Sequence, residues 1–475
     1  MKGAEKMNTS VPKLLSGPAG FAAAGLLLNS LLGFSGALAV GTAVWMALWW
    51  IFRPVHIAVT SLLPIAVNAA FTLIPNAHVI EQYFTDIVVL LLGGDLICMA
   101  WTTTGLDRRI SLRTLCLIGT SLRQQIFVWL SASVVLSAFL PNTVVATIFC
   151  PIAVGMLQFV GEKNISTSRL AVPILLAISW GSGIGGFGSP IGSPANLVAI
   201  SYMEELTGHE FMYVQWIGRF VPILFIIFLC NLLFLWHLKT PAKNFHGTRE
   251  EFQKMYAELG PMRKGERICF WLFVLAILLA FARPLYAAFL PGLKPAYVFL
   301  IVGMLMFILR DEKGEVLLTW NFAESHAMWG IMIMASSGLG LGRMIIETGA
   351  VGHMAEFLGA LHLTGGFVTM FLFCAFACFM SEMSSNTGAA SICIPMVISL
   401  CGALELNPVP YILGTVAACS CAYVLPVTTR AIPVGFGLDA SVQMREGLKL
   451  TLICVVVNAT LCWLSMEYLP LFSHL

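Results

Sequence analysis

Apolar runs of about twenty residues, the length that crosses a bilayer core of about 30 Å as a helix, recur along the chain between short polar or Pro/Gly-containing turns. The pattern predicts about eleven spans, near 14–33, 36–52, 55–74, 84–105, 170–203, 213–237, 267–287, 295–310, 323–347, 407–438 and 447–469. Two further apolar stretches, 115–160 and 355–403, carry a polar Asn-Thr turn in their middle and predict helical hairpins. The runs 170–203 and 407–438 are interrupted by Gly-Ser-Pro and Thr-Thr-Arg, so they predict broken helices. The expected architecture is an all-α polytopic membrane protein. It divides into a first half, 1–238, a connector, 239–266, and a second half, 267–475.

Composition agrees with a lipid solvent. Of 475 residues 58% are hydrophobic and 11% charged, with mean hydropathy +0.88, more apolar surface than a water-soluble core requires. A formal net charge of +2 gives no electrostatic footprint for nucleic acid. Thirteen cysteines are scattered through apolar segments, Cys98, Cys150, Cys230 and Cys454 among them, with no metal-type spacing, and read as small buried hydrophobes. The informative charge is positional. With a basic amino terminus inside and the first span retained, Arg53, the Asp107-Arg108-Arg109 run, Arg113, Lys163, Arg169, the 239–267 loop, Arg310, Lys313, Arg445 and Lys449 fall on one side. The positive-inside rule makes that side the cytoplasm and puts the carboxyl terminus outside, in a plasma or inner membrane. Five cations fall elsewhere: Arg219, Arg283, Lys294, Arg343 and Arg430.

The chain repeats itself. An offset of 244 carries Ser137, Asn142, Thr143, Ala146 and Pro151 onto Ser381, Asn386, Thr387, Ala390 and Pro395, and an offset of 236 carries Pro190 onto Pro426. An odd number of crossings separates the copies, so the two hairpins are re-entrant from opposite faces, an inverted repeat. Asn-Thr and Gly-Ser-Pro are poor helix continuers. Breaks of this kind survive at bilayer depth where they line a cavity, and a matched pair of them is the best sequence pointer to a transporter's site. Half-helix N-termini favour an anion, amide and hydroxyl groups such as Asn142, Thr143, Ser193, Asn386, Thr387 and Thr429 can donate to a carboxylate, and unwound carbonyls can hold a small cation.

At these residues the sequence resembles the divalent anion/sodium symporter family of dicarboxylate carriers, whose mark is a Ser-Asn-Thr motif at each of two hairpin tips, each followed by a broken helix. Here the second tip is Ser385-Asn386-Thr387, the first is Pro141-Asn142-Thr143, and the first break keeps Gly192-Ser193-Pro194-Ala195-Asn196. The resemblance implies a homodimer working as an elevator, in which a transport domain of hairpins and broken helices slides against a scaffold. It implies C4/C5 dicarboxylate substrates of the succinate, malate or 2-oxoglutarate type, with Asn142, Thr143, Ser385, Asn386 and Thr387 at the substrate. Ser137, Asn142, Gly192, Ser381 and Asn386 fall near the family's two sodium positions; no other cofactor is implied.

Two departures shape the expectation. Pro141 replaces a serine of the first sodium position, and the second break reads Thr428-Thr429-Arg430-Ala431 instead of a small, proline-rich loop. A guanidinium at mid-bilayer costs roughly 3 kcal/mol on insertion scales, so Arg430 needs an anionic partner, either substrate or Glu382. Its charge would then stand in for sodium, which predicts sodium-independent dicarboxylate exchange, with sodium symport as the alternative and oxyanion efflux as a more distant one. Asp95, a second intramembrane charge, reads as a proton or cation site, as a partner of Arg123, or as a polar bundle contact. Gly181-Ser182-Gly183 has no base placed for a hydrolase, and His56, His353 and His362 sit near span ends and form no dyad, so no enzyme activity is expected. Gly-rich 184–188 reads as close helix packing, and Trp45, Trp49, Trp50, Trp320 and Trp329 as interface residues. A channel would show uptake without counterflow or saturation.

Overall fold

A computed structural model describes residues 11–117, 119, 121–162, 164–240, 247–350, 365–383, 385–426 and 428–473. Lys163, Lys243, His353, His362, Ser384, the start of the amino-terminal tail and residues 355–364 of the second hairpin stretch lie outside them. Apart from one isolated bridge between Arg310 and Val316, the described secondary structure is helical. Nine helices among the described residues are long and apolar enough to cross a membrane.

The expected spans are recovered with instructive differences. Val11–Phe52 is one helical run turned at Gly33, whose φ of +70° is open to glycine, so the predicted pair 14–33 and 36–52 is present with its break in the left-handed region. The Trp49 indole N–H donates to the Leu14 carbonyl at 3.0 Å, closing the two limbs on each other. The predicted span 55–74 is instead two short helices, Ile57–Thr60 and Leu63–Phe71. They stop where buried Asn68 exchanges hydrogen bonds with the Ile74 backbone, 3.0 Å each way. The predicted span 323–347 is likewise divided, into Trp320–His326 and Trp329–Glu347.

The hairpins fold as Leu122–Ser137 with Asn142–Phe159, and as Gly366–Met383 with Asn386–Ala403. The first begins later than its predicted residue 115, because Leu106–Leu115 is a separate amphipathic helix. Ala171–Gly185 packs along Leu122–Ser137. A Cβ at Gly185 would collide with the Val134 backbone, which bears out the close-packing reading of the glycine-rich stretch. The helix then unwinds through Gly186–Gly188 and Pro190–Gly192 and resumes as Pro194–Thr207. In the second half Pro408–Cys419 unwinds and resumes as Thr428–Arg430 and Ala431–Gly435, with Thr428 at φ +51°. A non-glycine residue held there stores strain in the break.

The described part of the connector from residue 247 on contains a helix. Thr248–Glu258 is a helix packed on Leu106–Leu115, and the next span starts at Lys264, before the predicted 267. Buried Arg109 ties the three together. It pairs with Glu266 at 3.0 Å and donates to the carbonyls of Leu259, Gly260 and Pro261. Among the cations off the basic side, Arg283 pairs with Glu210, Lys294 with Asp86, Arg343 with Glu205 and Glu347, and Arg430 with Glu382. Each of these four exceptions to the positive-inside distribution is thereby offset by at least one carboxylate. Among the tryptophans, Trp320 and Trp329 are exposed, whereas Trp50 is buried on a cavity wall and does not belong with the interface set.

Candidate functional site

A cavity of about 570 Å³ lies between the two hairpin tips. Pro141, Asn142 and Thr143 line it from the first tip, Ser385, Asn386 and Thr387 from the second. Gly192, Ser193 and Pro194 of the first break and Thr428, Thr429 and Arg430 of the second complete the polar wall. Three helices begin on this wall, at Asn142, Pro194 and Asn386. Their positive dipole ends share one wall, which is the electrostatic arrangement that holds an anion. The sequence repeat thus places both Asn-Thr turns on one site.

The tips share one pattern of contacts. Ser137 Oγ lies 2.7 Å from Asn142 Oδ1 and 2.8 Å from the Ser182 carbonyl. Ser381 Oγ lies 2.9 Å from Asn386 Oδ1 and 2.7 Å from the Cys419 carbonyl. Each fully buried serine therefore joins its hairpin tip to the neighbouring broken helix. One hydroxyl proton cannot serve two oxygens. It goes to the amide oxygen or to the carbonyl, so each of these acceptors keeps lone-pair capacity.

Around the first tip three carbonyl oxygens crowd together. A Cβ on Gly192 would run into the Gly186 carbonyl and stand 3.0 Å from those of Ser137 and Ala138. Glycine at 192 is what leaves that oxygen-rich space open. Asn196 steadies its rim, donating Nδ2 to the carbonyls of Gly186 and Ser189 at 2.8 Å each, and the Ser189 hydroxyl donates to the Ala138 carbonyl. The donor set, carbonyls plus an amide oxygen, suits a small hard cation such as sodium.

The second tip solves the same problem differently. The repeat offset of 236 takes Gly186 and Ser189 to Ala422 and Leu425. Those two carbonyls are capped by Arg430, through Nη1 at 2.6 Å and Nε at 3.0 Å, while Nη2 donates to the Ser381 carbonyl at 2.9 Å. A guanidinium thus does for the second break what the Asn196 amide does for the first, and adds a positive charge. Glu382 supplies the acceptors: its carboxylate takes the N–H groups of Tyr423, Val424 and Leu425 at 2.6–2.9 Å, and lies 3.8 Å from Arg430. The loop's freed donors go to Glu382 and its freed acceptors to Arg430. Of the two partners expected for Arg430, the geometry provides Glu382, and the residue also lines the cavity.

Caps differ too. The Ser385 hydroxyl accepts from Gly388 N at 3.0 Å and Ser193 from Ala195 N at 3.4 Å, whereas Pro141 offers no side-chain cap. Sequence reasoning missed the role of Asn196, although it stands inside the quoted Gly-Ser-Pro motif, and missed Arg53 and His56 on the cavity wall. Of the readings open for Asp95, the pair with Arg123 does not form. Asp95 accepts from Met328 N at 2.8 Å, and Arg123 lies over the Trp236 ring. Among the described residues no group of His, Cys, Asp and Glu could hold a metal ion, and the described cysteines are all free.

A helical membrane protein with two matched hairpin tips closing on one anion-favouring cavity belongs to the class of polytopic transporters, and is not an enzyme. The chain belongs to the family described as the sodium:sulfate symporter transmembrane region, matched over residues 27–469, which is the divalent anion/sodium symporter family. It is 27% identical over 439 residues to a sodium-dependent dicarboxylate transporter, SdcS, of Staphylococcus saprophyticus, covering 89% of this chain and 84% of that protein. The Staphylococcus aureus SdcS is 27% identical over 443 residues, covering 90% and 85%. Among solved structures, the YdaH transporter of Alcanivorax borkumensis aligns with TM-score 0.52 and 13% identity over 86% of this chain and 90% of its own. Neisseria gonorrhoeae MtrF aligns at 0.56 and 12% over 90% and 98%. Those two likenesses concern the fold alone.

Proposed function

We propose that this chain is a secondary transporter of C4/C5 dicarboxylates, coupled to sodium bound at the first hairpin tip. The observation that carries the reading is the pair of Asn-Thr tips, each opening a helix N-terminus onto one cavity. Two such tips suit a substrate with a carboxylate at each end, and Asn142, Thr143, Ser193, Ser385, Asn386, Thr387 and Thr429 are the donors assigned to it. Sodium has the support of the relatives, both named as sodium-dependent dicarboxylate transporters, and of the carbonyl cluster around Gly192. The hairpins and broken helices would move as one elevator body in each subunit of a homodimer, with the amino terminus cytoplasmic and the carboxyl terminus outside.

Sodium-independent exchange, the expectation drawn from Pro141 and Arg430, is the second reading. The relatives' sodium dependence weighs against it. What favours it is Arg430, a permanent cation at the place in the second half where the family binds its other sodium. Purified protein in vesicles, given labelled succinate with and without sodium and with and without internal dicarboxylate, separates the two. Sodium-stimulated entry into empty vesicles is the expected result, and counterflow indifferent to sodium would replace it by exchange. A competition panel of malate, 2-oxoglutarate, citrate and sulfate identifies the anion class, and competition by sulfate alone would overturn the dicarboxylate assignment.

A further inference from the structure

Asp95 is the acidic side chain on the cavity wall, and neither the anion site nor the cation cluster uses it. It lies midway along Asp86–Thr104 and is 6% exposed. One carboxylate oxygen, Oδ2, accepts from Met328 N, the residue that opens Trp329–Glu347. Among the described residues Asp95 has no ion pair. Arg53 and His56 line the same cavity without pairing to it, and Arg430 is committed to Glu382 and three backbone carbonyls. Cys98 lies one turn along the same helix, and Glu324 and His326 stand on the short helix before Met328. On the other elements packed on Asp86–Thr104, Lys294 and Tyr297 bind Asp86, Glu204 accepts from Phe211 N, Arg343 pairs with Glu205 and Glu347, and Glu266 pairs with Arg109 of the next helix.

A fixed carboxylate in the wall of a cavity that must admit a dianion is a conflict. In a site walled by protein and lipid the repulsion is stronger than in water. Neutralising the carboxylate removes it, and a proton does so without disturbing the bond from Met328 N, since the second oxygen can carry the hydrogen. A buried intramembrane acid with no cationic partner is also the usual mark of a proton pathway.

We propose that Asp95 is a protonation site coupled to substrate: the carboxylate takes up a proton when the dicarboxylate enters the cavity and returns it when the substrate leaves. The inference rests on the anion-site reading above. The proton binds reversibly to Asp95 Oδ1 on Asp86–Thr104, outside the hairpins and broken helices, and is taken up from the side the substrate enters and released to the side it leaves.

The test uses full-length protein in vesicles with an entrapped pH-sensitive dye and labelled succinate. Measurements between about pH 6.5 and 8.5 keep succinate a dianion, so its own titration does not intrude. Wild-type uptake is expected to fall with rising pH, approaching tenfold per unit once the proton becomes limiting, and succinate entry is expected to acidify the interior. Asp95→Asn keeps an acceptor for Met328 N and imitates the protonated state. Its uptake should be flat with pH and unaccompanied by protons, while Asp95→Glu should restore both. Wild-type entry of succinate with no proton entry, or an Asp95→Asn profile that keeps the wild-type slope, would overturn the proposal. If Asp95→Asn does not survive purification, the wild-type dye trace and the profile of Asp95→Glu decide. No transport of any dicarboxylate would instead overturn the function proposed above, whereas sound uptake that ignores pH overturns only the role of Asp95.

Discussion

At the scale of single residues, the second half depends on a buried pair whose members are not interchangeable with neutral groups. Glu382 accepts three backbone N–H bonds and faces Arg430. Removing it with Glu382→Ala orphans those donors and leaves a guanidinium uncompensated, a change worth about 3–5 kcal/mol. The expected outcome is a loss of folded protein, read as a large drop in thermal midpoint in detergent, with Glu382→Gln milder. An unchanged midpoint would mean that the loop does not need this acceptor. Asn386→Ala belongs to the other category: it removes a donor to substrate, and a hydrogen bond to a charged group is worth about 1.5–3 kcal/mol. KM for succinate should rise between about tenfold and a hundredfold with folding intact. This difference between Glu382 and Asn386 is only partly legible in the sequence. The motif points to Asn386, and the cost of burying Arg430 points to Glu382. That Arg430 would cap the equivalents of the carbonyls held by Asn196 depends on backbone geometry that residue spacing does not carry.

At the scale of elements, breaks were easier to place than lengths. Asn-Thr, Gly-Ser-Pro and Thr-Thr-Arg interrupt apolar runs with residues that compete for backbone hydrogen bonds, and helices start at or beside each of them. The run 55–74 misled because hydropathy reports what an environment will accept and not where Asn68 turns the chain. The run 323–347 misled because the division at Met328 is stabilised by Asp95, 233 residues away in sequence. The first hairpin's second helix starts without a side-chain cap, where the second hairpin has Ser385. Pro141→Ser should restore a cap worth about 1 kcal/mol and supply another oxygen beside the Gly192 cluster. Thermal stability should rise and half-maximal sodium concentration should fall. Gly192→Ala should do the reverse, because its methyl group would occupy the space between the three carbonyls. Equal sodium responses in both variants would remove the cation from this tip.

At the scale of the whole molecule, an inverted repeat provides two equivalent places for whatever compensates a dianion, and this chain has made them unequal. The first retains a cluster of carbonyl oxygens held by neutral donors, a serine-held amide and glycine at 192. The second has filled the matching space with a guanidinium that crosses with the protein. An ion held by the chain cannot be released to follow a gradient, so it adds no driving force. If transport is sodium-coupled, the sodium dependence of succinate uptake should therefore follow a single-site curve, with a Hill slope of about one. A carrier with two sodium sites would give a sigmoid approaching two. The Glu382–Arg430 pair is itself nearly neutral, so one sodium with a dianion leaves net negative charge on the moving body, and an inside-negative potential should slow uptake. The proton assigned to Asp95, on a helix outside that body, would cancel the remainder in the net charge carried per cycle. Uptake should then be sensitive to membrane potential in Asp95→Asn and much less so in the wild type at neutral pH. The measurement is succinate entry under potassium–valinomycin potentials of either sign. A sigmoid sodium curve would show that Arg430 has displaced no ion, and equal potential sensitivity in both proteins would show that the charge balance has been drawn in the wrong place.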